Sequence, residues 1–159
     1  MADTAQNTAA APARVRFDPA TLGVVVVKIG TSLLSGEAGF NASVMERLAQ
    51  QIAALKAQHP LHIVLVSSGA VGVGMQVLGH QARPTDLRSK QAVAAVGQAR
   101  LMHYYETLFM TLGGGLHTAQ VLLSWADLAE RRSYLNARNT LLRLFEFGNI
   151  VPIINENDS

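Results

Sequence analysis

The stretch Val24-Val25-Val26-Val27-Lys28-Ile29 decides how the rest of the chain is interpreted. Its residues are β-branched throughout, apart from Lys28. A continuous apolar run of this length is typical of a strand that is buried on both faces, as strands of parallel sheets are. The stretch therefore predicts the first strand of a parallel sheet.

Helical and strand patterns alternate along the sequence that follows. Asn41 is a good N-cap for a helix that ends at His59-Pro60. Apolar runs predict further strands at 61–66, 119–123 and 151–154. Between them the spacing predicts a short Gly-rich helix ending near Gly79, a long helix that begins after Asp86, and a helix from Ser124 to Gly148. This alternation predicts an α/β fold, a mostly parallel sheet in an αβα three-layer sandwich.

The composition narrows the class of protein. Of 159 residues, 49% are apolar and 15% charged, which suits a packed core, and the net charge of +2 is too small to argue for nucleic acid. The chain contains no Cys, so disulfides and thiolate sites are excluded. No apolar run reaches the roughly 20 residues of a membrane span. We interpret 1–21 as a disordered tail without a secretory pattern, and we expect a cytoplasmic protein with no nucleic-acid or membrane partner.

Polar residues gather where the predicted strands end. They are Lys28-Ile29-Gly30-Thr31-Ser32, Ser67-Ser68-Gly69-Ala70, Ser124 and Asn155-Glu156-Asn157-Asp158. Ligands of open α/β sheets bind just beyond the carboxyl ends of the strands, and parallel strands share that edge. The four segments are therefore expected to converge on one site.

Two of these segments have the chemistry of anion sites. Lys28 is costly inside a strand unless it is paired, although an edge lysine could reach solvent. With Gly30 next to it, a cation and free backbone N–H groups could bind phosphate. Ser68-Gly69 at a helix N-terminus favours a carboxylate or is a plain N-cap. Neither the Walker pattern nor G-x-G-x-x-G is present, and the histidines show no metal-ligand spacing.

Five stretches together resemble the glutamate 5-kinases of the amino acid kinase family. They occur in the order of that family and cover nearly everything after the tail: Val-Val-Lys-Ile-Gly-Thr-Ser at 26–32, Val-Ser-Ser-Gly-Ala at 66–70, Lys-Gln-Ala-Val-Ala-Ala-Val-Gly-Gln at 90–98, Leu-Asn-Ala-Arg-Asn-Thr at 135–140 and Ile-Val-Pro-Ile-Ile-Asn-Glu-Asn-Asp at 150–158.

The resemblance implies an enzyme that uses ATP and Mg²⁺ to phosphorylate the γ-carboxylate of L-glutamate, the first step of proline biosynthesis. Matched residue by residue, the resemblance implies that Lys28, Gly30 and Thr31 bind the ATP phosphates. It implies catalytic roles for Lys28 and Asp158. It assigns glutamate binding to Ser68, Gly69, Ala70, Asn139 and Asn157, and it identifies no protein ligand for a metal. Some members carry Asp where this chain has Asn139.

The resemblance also implies that 22–159 is the N-terminal, glutamate-binding part of a kinase domain. The nucleotide-binding half and the PUA domain of the family are expected to be absent, which leaves the activity of this part alone in doubt. A complete enzyme would be a homo-oligomer and could hand its product to glutamate-5-semialdehyde dehydrogenase. A non-catalytic module that binds glutamate or proline remains an alternative, and so does a sister carboxylate kinase.

Overall fold

The computed structural model of the chain describes residues 22–30, 35–36 and 39–156. The tail predicted at 1–21 lies outside these residues. The elements, in chain order, are β1 (Val24–Ile29), β2 (Ser35–Gly36), β3 (Gly39–Phe40), α1 (Ala42–Gln58), β4 (His62–Ser67), α2 (Ala70–Leu78), α3 (Leu87–Thr111), β5 (His117–Leu123), α4 (Trp125–Ala129), α5 (Arg131–Glu146) and β6 (Ile150–Glu156). No described helix is both long enough and apolar enough to span a bilayer.

Four strands form one sheet in the order β1-β4-β6-β5, and every pairing within it is parallel. The chain therefore passes from β4 to the far edge strand β5 and then returns to form β6, which lies between β4 and β5. β2 and β3 form a separate two-stranded antiparallel pair that was not predicted from the sequence. The expected α/β fold with a parallel sheet is confirmed.

Helices cover the sheet on both faces. On one face, Ile63 and Leu65 of β4 belong to a buried cluster with α1 and α3, to which Met45 and Leu101 contribute. The neighbouring residues along β4 point to the other face, where the rings of His62 and Phe145 of α5 stack with centroids 4.6 Å apart. Since strand residues alternate between faces, these contacts place α5 opposite α1 and α3 and give three layers.

The first strand is not buried on both faces, contrary to the expectation from its sequence. Val25, Val27 and Ile29 pack toward the core, whereas Val24 and Val26 are 46% and 63% exposed. The reason is position, because β1 is an edge strand and no described helix covers its outer face. An apolar run alone does not distinguish this half-covered strand from a central one.

Side-chain caps fix most helix starts. The predicted N-cap Asn41 accepts from the Val44 N–H, Asp86 accepts from the Ser89 N–H at 2.9 Å, and Ser124 forms a capping box with Asp127. The single helix expected after Ser124 is in fact two helices. The chain is extended at Glu130, whose carboxylate then accepts from the first-turn N–H groups of α5.

Two glycines let α2 and α3 touch along their backbones. A Cβ built on Gly74 would lie 1.9 Å from the Val93 carbonyl oxygen, and one on Gly97 would lie 1.8 Å from the Ala70 carbonyl oxygen. Neither position has room for a methyl group. This crossing holds the start of α2 against the middle of α3. The start of α2 comes soon after the end of β4.

Candidate functional site

A cleft of about 300 Å³ lies at the edge of the sheet where the central strands β4 and β6 end. It is lined by Ser68, Gly69, Ala70, Val71, Gly72, Arg83, Leu87, Lys90, Gln91, Asn155 and Glu156. These residues come from the β4–α2 junction, the loop before α3, the first turn of α3 and the end of β6. The predicted convergence of strand exits is therefore found for two of the four segments.

The first wall of the cleft is the junction between β4 and α2. The Ser68 backbone N–H and hydroxyl both donate to the Ile29 carbonyl at 3.2 Å, which ties this junction to the end of β1. Gly69 is the N-cap of α2 and supplies no side-chain cap. The first N–H groups of a helix need partners from elsewhere, and their positive dipole end favours an anion. The predicted ligands Ser68, Gly69 and Ala70 thus share this wall.

The second wall comes from the loop before α3 and its first turn. It presents Arg83, Lys90 and Gln91 to the cleft. None of the three was predicted as a site residue, although Lys90 and Gln91 begin one of the stretches that carry the resemblance. Their position in the sequence could have indicated this wall. Asp86 is a recognisable N-cap of α3, and it places Lys90 in the first turn of that helix.

The third wall is the end of β6. Asn155 is only 6% exposed, and its side-chain N–H donates to the Gln98 side-chain oxygen of α3 at 2.6 Å. Its own oxygen accepts from the Glu156 N–H at 3.0 Å. Asn155 therefore anchors the strand end to α3, while Glu156 is exposed and brings a carboxylate to the cleft. Nearby, the Gln98 side-chain nitrogen is buried without a partner among the described residues.

Three predicted residues in the described part of the chain do not line the cleft. Lys28 is exposed on the outer face of the edge strand β1 and does not line the cleft. Gly30 follows Ile29, whose carbonyl holds Ser68, so it lies close to the first wall. Asn139 lines a different, open cleft on α5 together with Arg131 and Asn136. Thr31, Asn157 and Asp158 lie outside the described residues, so their assigned roles stay predictions.

The charges of the cleft suit a small anion that also carries a positive group. Arg83 and Lys90 contribute two positive charges and Glu156 one negative charge. Neither cation makes a salt bridge among the described residues, although Lys90 helps to keep the pKa of Asp86 below its usual value, behind the stronger effect of the hydrogen bonds from Ser89. In the same part of the chain, no three His, Asp or Glu side chains converge as metal ligands.

The sequence of the chain is also similar to those of known proteins. Residues 23–159 match the amino acid kinase family. The chain is 52% identical over 136 residues to the glutamate 5-kinase of Burkholderia cenocepacia (strain HI2424). It is 51% identical to that of Paraburkholderia phytofirmans and 50% identical to that of Aromatoleum aromaticum. Each alignment covers 85% of this chain but 36% of the relative.

The family match extends over nearly all of the described residues and includes every strand of the parallel sheet. The chain spans little more than a third of the length of these relatives. This chain belongs to the amino acid kinase family.

Proposed function

We propose that the chain is the glutamate-binding part of a glutamate 5-kinase, which transfers a phosphoryl group from ATP to the γ-carboxylate of L-glutamate. The observation that carries the proposal is the cleft at the strand exits. An uncapped helix N-terminus, two cations and a carboxylate line it, which is the set of groups that an amino dicarboxylate needs. The names of the relatives supply the substrate.

The proposed reaction requires positioning more than proton transfer. A γ-carboxylate with a pKa near ~4.3 is already an anion at neutral pH, so it needs no general base. One of its oxygens attacks the γ-phosphorus, the bond from that phosphorus to the bridging oxygen breaks, and ADP leaves with the bond's electrons. The product is L-glutamyl 5-phosphate, which would open proline biosynthesis.

The residues divide between the two substrates in this proposal. Ser68, Gly69 and Ala70 bind glutamate. The resemblance also assigns Asn139 and Asn157 to glutamate, although Asn139 lines a separate cleft on α5. Lys28 and the backbone of Gly30 and Thr31 bind the ATP phosphates, since a cation and backbone N–H groups together are a suitable donor set for phosphate. Asp158 orients Lys28 or the metal.

Mg²⁺ would arrive with the nucleotide and neutralise charge on the phosphates. We assign it no protein ligand. The remaining partners are inferred from the family: a homo-oligomeric enzyme in the cytoplasm, with product hand-off to glutamate-5-semialdehyde dehydrogenase.

The first prediction concerns Lys28. In a polypeptide that continues to the length of the relatives, Lys28→Ala should lower the rate of γ-glutamyl hydroxamate formation from glutamate, ATP and hydroxylamine about a hundredfold or more. Loss of one such stabilising group costs roughly 3 kcal/mol of barrier. Val26→Ala, on the same exposed face of β1, is the matched control and should retain the activity of the unmodified enzyme.

Two results would contradict the proposal in different ways. Full activity of Lys28→Ala would remove the role given to Lys28 and leave the kinase assignment intact. Heat of glutamate or proline binding in calorimetry, with no hydroxamate formed by the complete polypeptide, would instead favour a non-catalytic binding module. Phosphorylation of another carboxylate in preference to glutamate would indicate a sister kinase.

A further inference from the structure

Two cationic side chains reach the cleft from different elements. Arg83 belongs to the loop between α2 and α3, and Lys90 lies in the first turn of α3. Both residues are exposed and neither is held by a salt bridge among the described residues. Their charges are therefore available to a bound molecule.

The first and second walls of the cleft come from different elements and differ in charge. Ser68 is hydrogen-bonded to the Ile29 carbonyl, so its side of the cleft adjoins the end of β1 and Gly30. Arg83, Leu87 and Lys90 line the cleft from the loop before α3 and from the first turn of that helix, so the cationic side is the second wall. A phosphate acceptor near Gly30 would have to lie on the Ser68 side, which leaves the cationic side for the opposite end of the substrate.

We propose that Arg83 and Lys90 bind the α-carboxylate of the substrate amino acid, while its γ-carboxylate lies toward Ser68 and its ammonium toward Glu156. The inference rests on the proposed function and specifies its substrate class, an α-amino acid with a second carboxylate in the side chain. The charges are complementary, since two cations and one carboxylate meet two carboxylates and one ammonium. Charge-assisted hydrogen bonds of this kind are stronger than neutral ones.

Calorimetry with two ligands tests the assignment. L-Glutamate has both carboxylates, whereas L-isoglutamine keeps the γ-carboxylate and carries an amide in place of the α-carboxylate. The purified chain should bind isoglutamine about tenfold or more weakly than glutamate, since hydrogen bonds to charged groups contribute about 1.5–3 kcal/mol and 1.4 kcal/mol is tenfold.

Substitutions identify the residues responsible. Arg83→Gln and Lys90→Gln should each weaken glutamate binding about tenfold while changing isoglutamine binding little. Arg88→Gln is the matched control, because Arg88 is an exposed cation of the same helical turn that does not line the cleft. It should bind both ligands as the unmodified chain does, and all variants should melt at similar temperatures.

The possible failures are separable. If the unmodified chain binds glutamate and isoglutamine equally, or the two variants weaken both ligands alike, the inference is wrong and the proposed function stands. If the variants alter ATP binding but not glutamate binding, the cations belong to the nucleotide and the inference is again wrong. If glutamate does not bind at all, the inference and the glutamate site fall together.

Discussion

At the scale of single residues, the hydrogen bond between Ser67 and Tyr105 joins the sheet to α3 inside the core. The two hydroxyl oxygens are 2.9 Å apart, and each residue is about 1% exposed. Burial raises the pKa of Tyr105 to about 12, although the hydrogen bond to Ser67 partly opposes that rise. Ser67 directly precedes Ser68, so this pair also fixes the start of the first wall of the cleft.

Tyr105→Phe should lower the free energy of unfolding at pH 8 by about 1–3 kcal/mol, because it leaves the buried Ser67 hydroxyl without a partner. The difference should shrink as the pH rises from 10 toward 12. In that range Tyr105 ionises in the unfolded chain while it stays neutral in the folded one, which lowers the free energy of unfolding of the unmodified chain. The variant has no phenol at this position, so its free energy of unfolding does not fall for this reason. Urea unfolding at pH 8 and pH 11 measures both effects. A constant difference would contradict the raised pKa, and Ser67→Ala added to Tyr105→Phe should recover part of the loss.

Some residues of the cleft could be predicted from the sequence, and others could not. Ser68, Gly69 and Ala70 could be predicted as a site because a serine and a glycine directly follow a strand. Arg83 could not, since it lies in a loop without periodicity, and its approach to the cleft depends on how α2 and α3 cross. Lys28 was given a role partly because a buried lysine needs a partner, and that argument does not apply to an exposed one.

At the scale of elements, the crossing of α2 and α3 positions the cleft. The Gly97 Cα faces the backbone of Ala70 and Gly74, so the close approach needs a residue without a side chain. Ala70 is both the first residue of α2 and part of the first wall. Any group added at Gly97 would push on the wall itself.

Gly97→Ala should therefore destabilise the chain and weaken glutamate binding. Helix propensity alone predicts the opposite sign, since Ala is about 1 kcal/mol more favourable than Gly in a helix interior. We expect a loss of at least about 1–3 kcal/mol from overpacking, seen as a lower urea midpoint. Ala95→Gly, at an exposed site of the same helix, is the control and should cost only about 1 kcal/mol through propensity. A more stable Gly97→Ala variant would show that the helices can separate freely.

The sequence predicted most elements well because their signals are local. Caps at Asn41, Asp86 and Ser124 each depend on one polar side chain and the helix directly after it. The division into α4 and α5 was missed because Glu130, unlike Ser, Asp or Asn, is not a usual cap. The pair β2–β3 was missed because its strands are two residues long and too short for any periodicity.

At the scale of the whole molecule, strand order could not be predicted from the alternation of elements. Local patterns specify that strands are present but not which of them are neighbours. The order β1-β4-β6-β5 puts β4 and β6 in the centre, and the register brings Ser67 and Asn155 to the same edge of the sheet. The cleft exists only because of this order, since its first and third walls belong to the two central strands.

The strand order predicts a gradient of protection against amide hydrogen exchange. Amides of β4 and β6 should exchange slowest, because both strands are paired on two sides and carry fully buried residues such as Leu65 and Val151. Those of β1 and β5 should exchange faster by about tenfold or more, since edge strands leave alternate N–H groups unpaired and open at lower free energy. Exchange at neutral pH, followed by mass spectrometry of peptic peptides, measures the gradient in one sample. The contrast with β1 is the decisive one, because its apolar sequence alone would place it among the central strands. Protection of β1 equal to that of β4 would mean that the outer edge of β1, which pairs with no described strand, is hydrogen-bonded in solution.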